Sequence, residues 1–344
     1  MRPNVQNWPK ASEGYLKEIF SKDKELQEEY PNAFNLEKGV PRSIRTVVVP
    51  EPGHVIIEAD YKQAELFVLA GLAQDNVMWE HLTTPGKDMH DIAAITSFKL
   101  VVMMDGDVVP EEKLLEIART MSEDDYDSFK YKHLTYKDQG GKIMSHAEFK
   151  STIRVGAKAI NFGIPYGRGA PAIVMQVEAE TGNPVDINDI KQALETWHTI
   201  YAKSSEFLDS CQDCVLNPGY VENPWGRRRY FDFDPGDEAI VAATRREAGN
   251  FPIQSTVADT MALALHECMK RRDEAALNFR VINQIHDALV LTVPEKEVDA
   301  TIPLLSEAMH GIKIPVGRGR HATMLETLQL SVDVEICEKR WSEK

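Results

Sequence analysis

Residues 281–293 read Val281-Ile282-Asn283-Gln284-Ile285-His286-Asp287-Ala288-Leu289-Val290-Leu291-Thr292-Val293. Two apolar, strand-like runs meet with only His286-Asp287 at the fold-back. A two-residue hairpin turn ordinarily takes Asn-Gly or another glycine pair, because positive φ is needed there. His-Asp is a poor choice on stability grounds alone. An acid at that tip, between apolar strands, is a carboxylate presented to something. A second strand end matches it. Val55-Ile56-Ile57-Glu58-Ala59-Asp60 is an apolar run ending in an acid, followed by Tyr61-Lys62-Gln63-Ala64-Glu65-Leu66. Two isolated aspartates, distant in sequence and each closing a strand, are what a two-metal phosphoryl-transfer site requires.

The chain has 344 residues, more than one typical domain needs. Its 43% hydrophobic and 27% charged residues describe a soluble globular protein. No apolar run reaches membrane-spanning length, and the first ten residues hold no apolar h-region. Four cysteines in this length do not make a disulfide framework, so a reducing, cytoplasmic setting is expected. Net charge −15 argues at first against nucleic acid. Its distribution is uneven. Residues 101–127 hold nine acids against Lys113 and Arg119. Basic residues cluster elsewhere, at Arg227-Arg228-Arg229, Arg245-Arg246, Lys270-Arg271-Arg272 and Arg318-Gly319-Arg320. Lys270-Arg271-Arg272 reads as a solvated face.

The patterning predicts an amphipathic helix over 15–30, strands over 45–49 and 54–60, and helices over 62–73 and from His90 to Phe98. Residues 99–146 read as acidic, turn-rich and irregular, with Asp-Gly-Asp at 105–107 and Gln-Gly-Gly at 139–141. Helices are expected over 147–163 and 188–215, then a hairpin from Tyr220 to Phe231 around Asn223-Pro224-Trp225-Gly226. Further helices over 237–250 and 255–272 are expected to break at Pro252. Strands over 279–285, 288–293 and 328–334, with a helix over 295–309, complete an antiparallel sheet. Cys211-Gln212-Asp213-Cys214 has zinc-like spacing without a second pair, so a structural pair on a helix is expected.

Asp60-Tyr61-Lys62-Gln63-Ala64-Glu65-Leu66 resembles the first palm motif of the family A, DNA polymerase I-like enzymes of phage or bacterial type. Gln284-Ile285-His286-Asp287 resembles their third motif. Arg154-Val155-Gly156-Ala157-Lys158-Ala159-Ile160-Asn161-Phe162-Gly163-Ile164-Pro165-Tyr166-Gly167 resembles the nucleotide-binding helix of their fingers. The three motifs occur in order, and the resemblance runs from about residue 2 to the C-terminal Trp341 region. It implies an α+β fold, with a palm of antiparallel sheet and helices plus α-helical fingers. The first part of the palm would occupy 1–75. The fingers would occupy 76–185, with an acidic insertion at about 99–146. The fingers base and the rest of the palm, with the second metal-binding hairpin, would occupy 186–344. No segment resembles a thumb or an exonuclease domain, so the chain is expected to be either a fragment of a longer polymerase or one subunit of a split polymerase whose second polypeptide, an expected partner, carries the thumb and upstream palm.

The resemblance implies template-directed DNA synthesis from dNTPs on a primer–template, with no membrane partner. Nucleotidyl transfer needs alignment and charge neutralisation more than covalent help. Two Mg²⁺ ions about 3.5–4 Å apart would supply the neutralisation, with Mn²⁺ as a substitute. Asp60, Asp287 and the backbone carbonyl of Tyr61 are the implied ligands. Arg154, Lys158, Phe162 and Tyr166 recur every four residues and so share one helix face. Arg154 and Lys158 suit the β- and γ-phosphates, Phe162 the sugar and base, and Tyr166 the templating position. Lys158 also counts as catalytic. His90 matches a residue that touches the triphosphate, and Gln63 lies in the nucleotide-binding motif. Glu65 matches the residue that excludes a 2′-hydroxyl, which disfavours an RNA polymerase. The DNA contacts implied are Asn4, Gln6, Arg227, Arg228, Arg229, Arg246, Asn250, Gln254, Gln284 and His286. Three departures stand out: Ala288 in place of a glutamate, Phe67 in place of an arginine, and Ser255 in place of a glycine. Ala288 motivates the alternative of a non-catalytic DNA-binding or scaffold subunit.

Overall fold

The computed structural model describes residues 48–317, 324–338 and 341. The helix expected over 15–30, Asn4, Gln6 and the Arg318-Gly319-Arg320 cluster lie outside the described residues. Of the strand expected over 45–49, only Val48 and Val49 are described, and they are not in a strand. The chain divides into two units. Among the described residues, one comprises 48–64, 257–313, 329–338 and 341; the other comprises 65–256, 314–317 and 324–328.

The first unit is built on an antiparallel sheet. β1 (His54–Tyr61), β8 (Arg280–Ile285), β9 (Ala288–Pro294) and β10 (Val332–Cys337) lie in the order β10-β1-β9-β8. β1 and β9 are the inner strands. Every residue of β9 is buried, which is why its sequence is a continuous apolar run rather than an alternation. Ile57, Ala59 and Tyr61 sit opposite Leu291, Leu289 and Val332 in register. The Tyr61 hydroxyl donates to the Met309 carbonyl at 2.8 Å, on α12 (Val298–His310). The other face packs Ile56, Val290, Ile285, Cys337 and Trp341. β10 starts later than the expected 328–334. Leu328 instead bridges Ile314, with backbone bonds of 2.8 Å in both directions, so the apolar alternation there does not begin a sheet strand. The expected helix over 295–309 is a 3₁₀ turn at Glu295–Glu297 followed by α12.

The expected break at Pro252 does not occur: α11 (Glu238–Glu274) runs through it. An interior proline costs about 3 kcal/mol by losing one N–H and crowding the previous turn. The helix offsets this with burial of Ala248, Ile253, Met261 and Ala264 along its length. Ser255 and Thr256 hydroxyls donate to the Phe251 and Pro252 carbonyls just beyond the proline.

The second unit is mostly helical. It holds α1 (Ala64–Ala73), α2 (Asn76–Thr83) and α3 (Met89–Ser97). The stretch read as irregular is ordered, and that expectation is corrected. β2 (Val101–Met104), β3 (Asp107–Val108), β4 (Leu134–Lys137) and β5 (Ile143–Ser145) form a sheet in the order β3-β2-β4-β5, with α4 (Glu111–Ala118) and α5 (Glu123–His133) between β3 and β4. Asp105-Gly106 and Gly140-Gly141 do mark turns, with φ of 52° and 97° at the first pair. Leu100, Leu134, Tyr136, Met144 and Phe149 make the core beneath this sheet, and the Tyr136 and Phe149 rings stack at 4.0 Å.

The 147–163 helix is two helices, α6 (His146–Ser151) and α7 (Ile153–Gly163), which meet at a non-helical Thr152. α8 (Ala170–Thr181) follows. The long helix expected over 188–215 is also two, α9 (Ile187–Ile200) and α10 (Ala202–Asp213). Tyr201 breaks it with ψ of 56°, and its hydroxyl meets His81 Nδ1 at 2.9 Å. The hairpin β6 (Tyr220–Glu222) and β7 (Arg228–Tyr230) forms as expected. No helix among the described residues is long and apolar enough to cross a membrane.

Asp75 ties this unit together. Its Oδ1 accepts from the N–H groups of Val77 and Met78, capping α2, while Oδ2 accepts from the Ser204 N–H and hydroxyl. The residue is 2% exposed. Asp75→Ala removes a cap and strands two buried donors, so unfolding free energy should drop by about 3 kcal/mol in urea titration. A change below about 0.5 kcal/mol would show that these bonds are dispensable.

Candidate active site

The first unit presents the two aspartates. β1 register sets Asp60 opposite Ala288 on β9 and opposite Asp333 on β10. Directly paired residues of antiparallel strands point to one face, so these three form a row across the sheet. The β8–β9 turn brings Asp287 to the same place. Its carbonyl accepts from the Tyr61 N–H at 3.1 Å. Asp60 and Asp287 thus lie beside one another at one strand end. Both turns carry strained backbone: His286 has φ of 49° and Gln63 has φ of 47°. Neither is glycine, and such positions cost of order 1–3 kcal/mol unless the surroundings impose them. His286 and Gln63 are exposed, and Gln284 is half-buried.

Asp333, opposite Asp60 in register, is a carboxylate at this strand end that the sequence reading missed. It pairs with Lys62 at 3.0 Å, beside Asp60. The alternation Val332-Asp333-Val334-Glu335 on the last strand was the available signal. Ala288 is buried and contributes no oxygen. Among the described residues no three His, Cys, Asp or Glu side chains gather into a complete ligand set. Two carboxylates with the adjacent Tyr61 carbonyl are an all-oxygen donor set. That fits Mg²⁺, which keeps several waters and needs only one or two protein carboxylates. Cys211 and Cys214 gather no third His, Cys, Asp or Glu ligand among the described residues. Burial pushes the Cys211 thiol up to about 12.

The second unit carries the cationic helix. Arg154 and Lys158 share a face of α7, but Tyr166 lies past the helix end at Gly163, so the fourth member of the expected stripe stands on a turn. Lys158 is exposed and makes no ion pair among the described residues. Arg154 is engaged, donating to Asp91 at 2.6 Å and to Asp88 at 2.7 Å. The Tyr166 hydroxyl donates to Glu65 Oε1 at 2.7 Å and also meets the Gln254 side chain. Burial, then Glu65, pushes the Tyr166 phenol up. Gly167 follows with φ of 65°, and a Cβ there would come within 2.5 Å of Arg246 Cγ. Glu65, Tyr166, Gln254 and Arg246 therefore converge.

His90 is set by a second missed residue, Asn161. The Trp197 indole N–H can only donate, and it donates to Asn161 Oδ1 at 3.0 Å. The Asn161 amide must then aim its NH₂ at His90 Nδ1, 2.9 Å away. His90 accepts at Nδ1 and so carries its proton on Nε2. Its ring lies 5.3 Å from that of Phe162. A polar residue inside Ala159-Ile160-Asn161-Phe162 was the signal.

Among the DNA-contact candidates, Arg228 pairs with Glu222 and lies over the Tyr220 ring, while Arg229 pairs with Glu247. These pairs are exposed and worth little, so phosphate could replace the carboxylates at small cost. Arg227 is held at its N–H by Asn223 Oδ1. The Asn250 Oδ1 atom is buried with no hydrogen-bond partner among the described residues. Phe67, in place of an arginine, packs edge-on against Trp79 at 5.7 Å.

The profile of DNA polymerase family A matches residues 2–108 and 133–343. DNA polymerase I of Caldicellulosiruptor bescii is 27% identical over 277 residues, covering 79% of this chain and 27% of that protein. The thermostable DNA polymerase I of Thermus aquaticus is 26% identical over 285 residues, covering 82% of this chain and 28% of that protein. The solved POL domain of Pol1 from M. smegmatis, in complex with DNA primer-template and dNTP, is similar in fold. Its TM-score is 0.63 at 23% identity, over 99% of this chain and 45% of that one. The chain spans about a quarter of the length of the curated relatives it matches.

Burial pulls His90 down from 6.5 to about 4, and His146 likewise. Unfolding frees both to bind protons below 6.5, so stability is full above that pH and is lost as pH falls toward 4. Each should contribute on the order of 2 kcal/mol to this loss. His90→Gln should flatten the urea-derived stability profile between those values, leaving the share of His146. A slope equal to wild type would place His90 in solvent.

Proposed function

The chain belongs to DNA polymerase family A, and from that premise we propose that it performs template-directed DNA synthesis, joining dNTPs to a primer 3′-hydroxyl. The observation that carries the reading is the juxtaposition of Asp60 and Asp287 at one strand end, each beside a strained turn. Asp60, Asp287 and the Tyr61 carbonyl would hold two Mg²⁺ ions. Bound there, the ions would neutralise charge on the attacking and leaving oxygens.

The protein's own groups bind and orient. Lys158 has an uncommitted ammonium for the triphosphate, and Arg154 adds a second cation once it leaves its carboxylates. His90 offers its Nε2–H as a neutral donor to a phosphate oxygen. Phe162 supplies a ring for the sugar and base, and Gln63 lines the nucleotide. Glu65, braced by Tyr166, walls the sugar on its 2′ side. On the DNA side, Arg246, Gln254 and the orphaned Asn250 Oδ1 would meet primer–template edges. Arg227, Arg228 and Arg229 would meet backbone phosphate, and Gln284 and His286 the primer strand. The net charge of −15 opposes duplex association. A second polypeptide that grips the duplex is therefore part of the proposal. In this reading residues 1–75 contribute palm, 76–185 fingers, and 186–344 the fingers base and the rest of the palm. Four free thiols suit a cytoplasmic setting.

Ala288 supports the second reading, a DNA-binding subunit without activity, and primer extension with Mg²⁺ separates the two. Asp60→Asn and Asp287→Asn should each lower the single-turnover rate by roughly a thousandfold or more, with modest change in DNA affinity. Near-normal rates in both variants would refute the assignment, and no extension by wild type even with a duplex-gripping partner supplied would favour the binding subunit.

The Glu65 wall has its own test. Glu65→Ala should raise ribonucleotide incorporation relative to deoxyribonucleotide by roughly tenfold or more. Unchanged discrimination would remove Glu65 from that role.

A further inference from the structure

Arg154 stands near one end of a row of charges longer than nucleotide binding needs. Asp88 holds it from a fixed place, because Asp88 Oδ1 already caps α3 by accepting from the N–H groups of His90 and Asp91. Asp91 is divided. Its Oδ1 accepts from Arg154 at 2.6 Å, while Oδ2 lies 3.5 Å from Lys130 Nζ. Lys130 is closer to Asp127, at 2.7 Å, and Asp127 also takes Lys150 at 3.2 Å. Charges therefore alternate along Lys150, Asp127, Lys130, Asp91, Arg154 and Asp88. Lys130 and Asp91 are each 8% exposed, so solvent screens little between them. Burial, then Asp88, pushes the Asp91 carboxyl up. Asp127 and Lys130 both fall within residues 109–132, the stretch that the family profile leaves unmatched.

We infer that Asp127 and Lys130 set how firmly Asp91 holds Arg154, and thereby how readily Arg154 turns to an incoming triphosphate. The inference rests on the reading of Arg154 as a triphosphate ligand. Both residues are positioning residues and touch no nucleotide. Lys130 and Arg154 share one carboxylate and repel each other, so each is held there less firmly than it would be alone. Neutralising Lys130 leaves the whole of Asp91 to Arg154 and tightens that grip. Neutralising Asp127 turns Lys130 toward Asp91 and loosens it. The two changes act with opposite sign. A merely structural role for the segment would make both variants bind nucleotide worse.

The test is calorimetric titration of Mg²⁺–dATP into the full chain without DNA. Lys130→Met should raise Kd by roughly fivefold and Asp127→Asn should lower it by a similar factor, with Lys130→Arg near wild type. Asp127 is half exposed on its side chain, so Asp127→Asn carries the test alone if Lys130→Met does not fold. Arg154→Ala is the reference. Failure of the wild type to bind dATP, or an Arg154→Ala variant that binds as wild type does, overturns the reading of Arg154 and this inference with it. Weakened binding in Arg154→Ala, combined with an Asp127→Asn Kd that rises or stays fixed, overturns the inference alone.

Discussion

The site depends first on the register of β1 between β9 and β10. Side chains alternate faces along a strand, so a slip of one residue would carry Asp60 to the opposite side of the sheet. Several interactions hold the register. Ile56, Ile57 and Ala59 are fully buried, and each large aliphatic side chain so placed contributes about 2 kcal/mol. Glu58 is fixed by the Trp341 indole N–H, and Tyr61 by the Met309 carbonyl. The Tyr61 and Lys62 N–H groups close the strand end onto Asp287 and Ser331. Asp60 inherits its position from neighbours that have no chemistry of their own. The same frame makes His286 tolerable at positive φ, since the strands on both sides fix where the turn must go.

In the second unit, buried polar groups do the positioning. Trp197 fixes Asn161, Asn161 fixes the His90 tautomer, and burial keeps that ring neutral. Tyr166 ties Glu65 to Gln254 past the end of α7, and Gly167 lets the Arg246 stem lie against the backbone there. Each of these links is a satisfied hydrogen bond or a close packing contact. Removing one partner would leave the other unpaired in a low-dielectric setting, where the penalty is largest.

Much of the first unit was legible because its strands are long, apolar and closed by turn chemistry that makes sense only with a fixed sheet. The β8–β9 hairpin and the end of β1 fell where the residues placed them. The 99–146 stretch was not legible. Its strands are two to four residues long, too short for alternation to show, and its charged outer helix faces masked the Leu134-Tyr136-Met144 core. Pro252 misled because its local cost is outweighed by burial on both sides of it. Tyr201 and Thr152 break helices for tertiary reasons that periodicity does not encode. Asp333 and Asn161 escaped because a strand partner and a buried amide chain are spatial facts, although the acid in an alternating strand and the amide in an apolar helix were both visible. Arg154 showed its charge in the sequence, but the carboxylates that hold it come from other helices.

The central claim is that Asp60 and Asp287 together form one cation site. Mn²⁺ binding, followed by electron paramagnetic resonance on the full chain with dNTP and a dideoxy-terminated primer–template, tests it without relying on catalysis. The account predicts that wild type takes up tightly bound Mn²⁺, and that Asp60→Asn and Asp287→Asn each weaken uptake by at least roughly tenfold, because each removes a charged oxygen ligand. Uptake by both variants equal to wild type would contradict it.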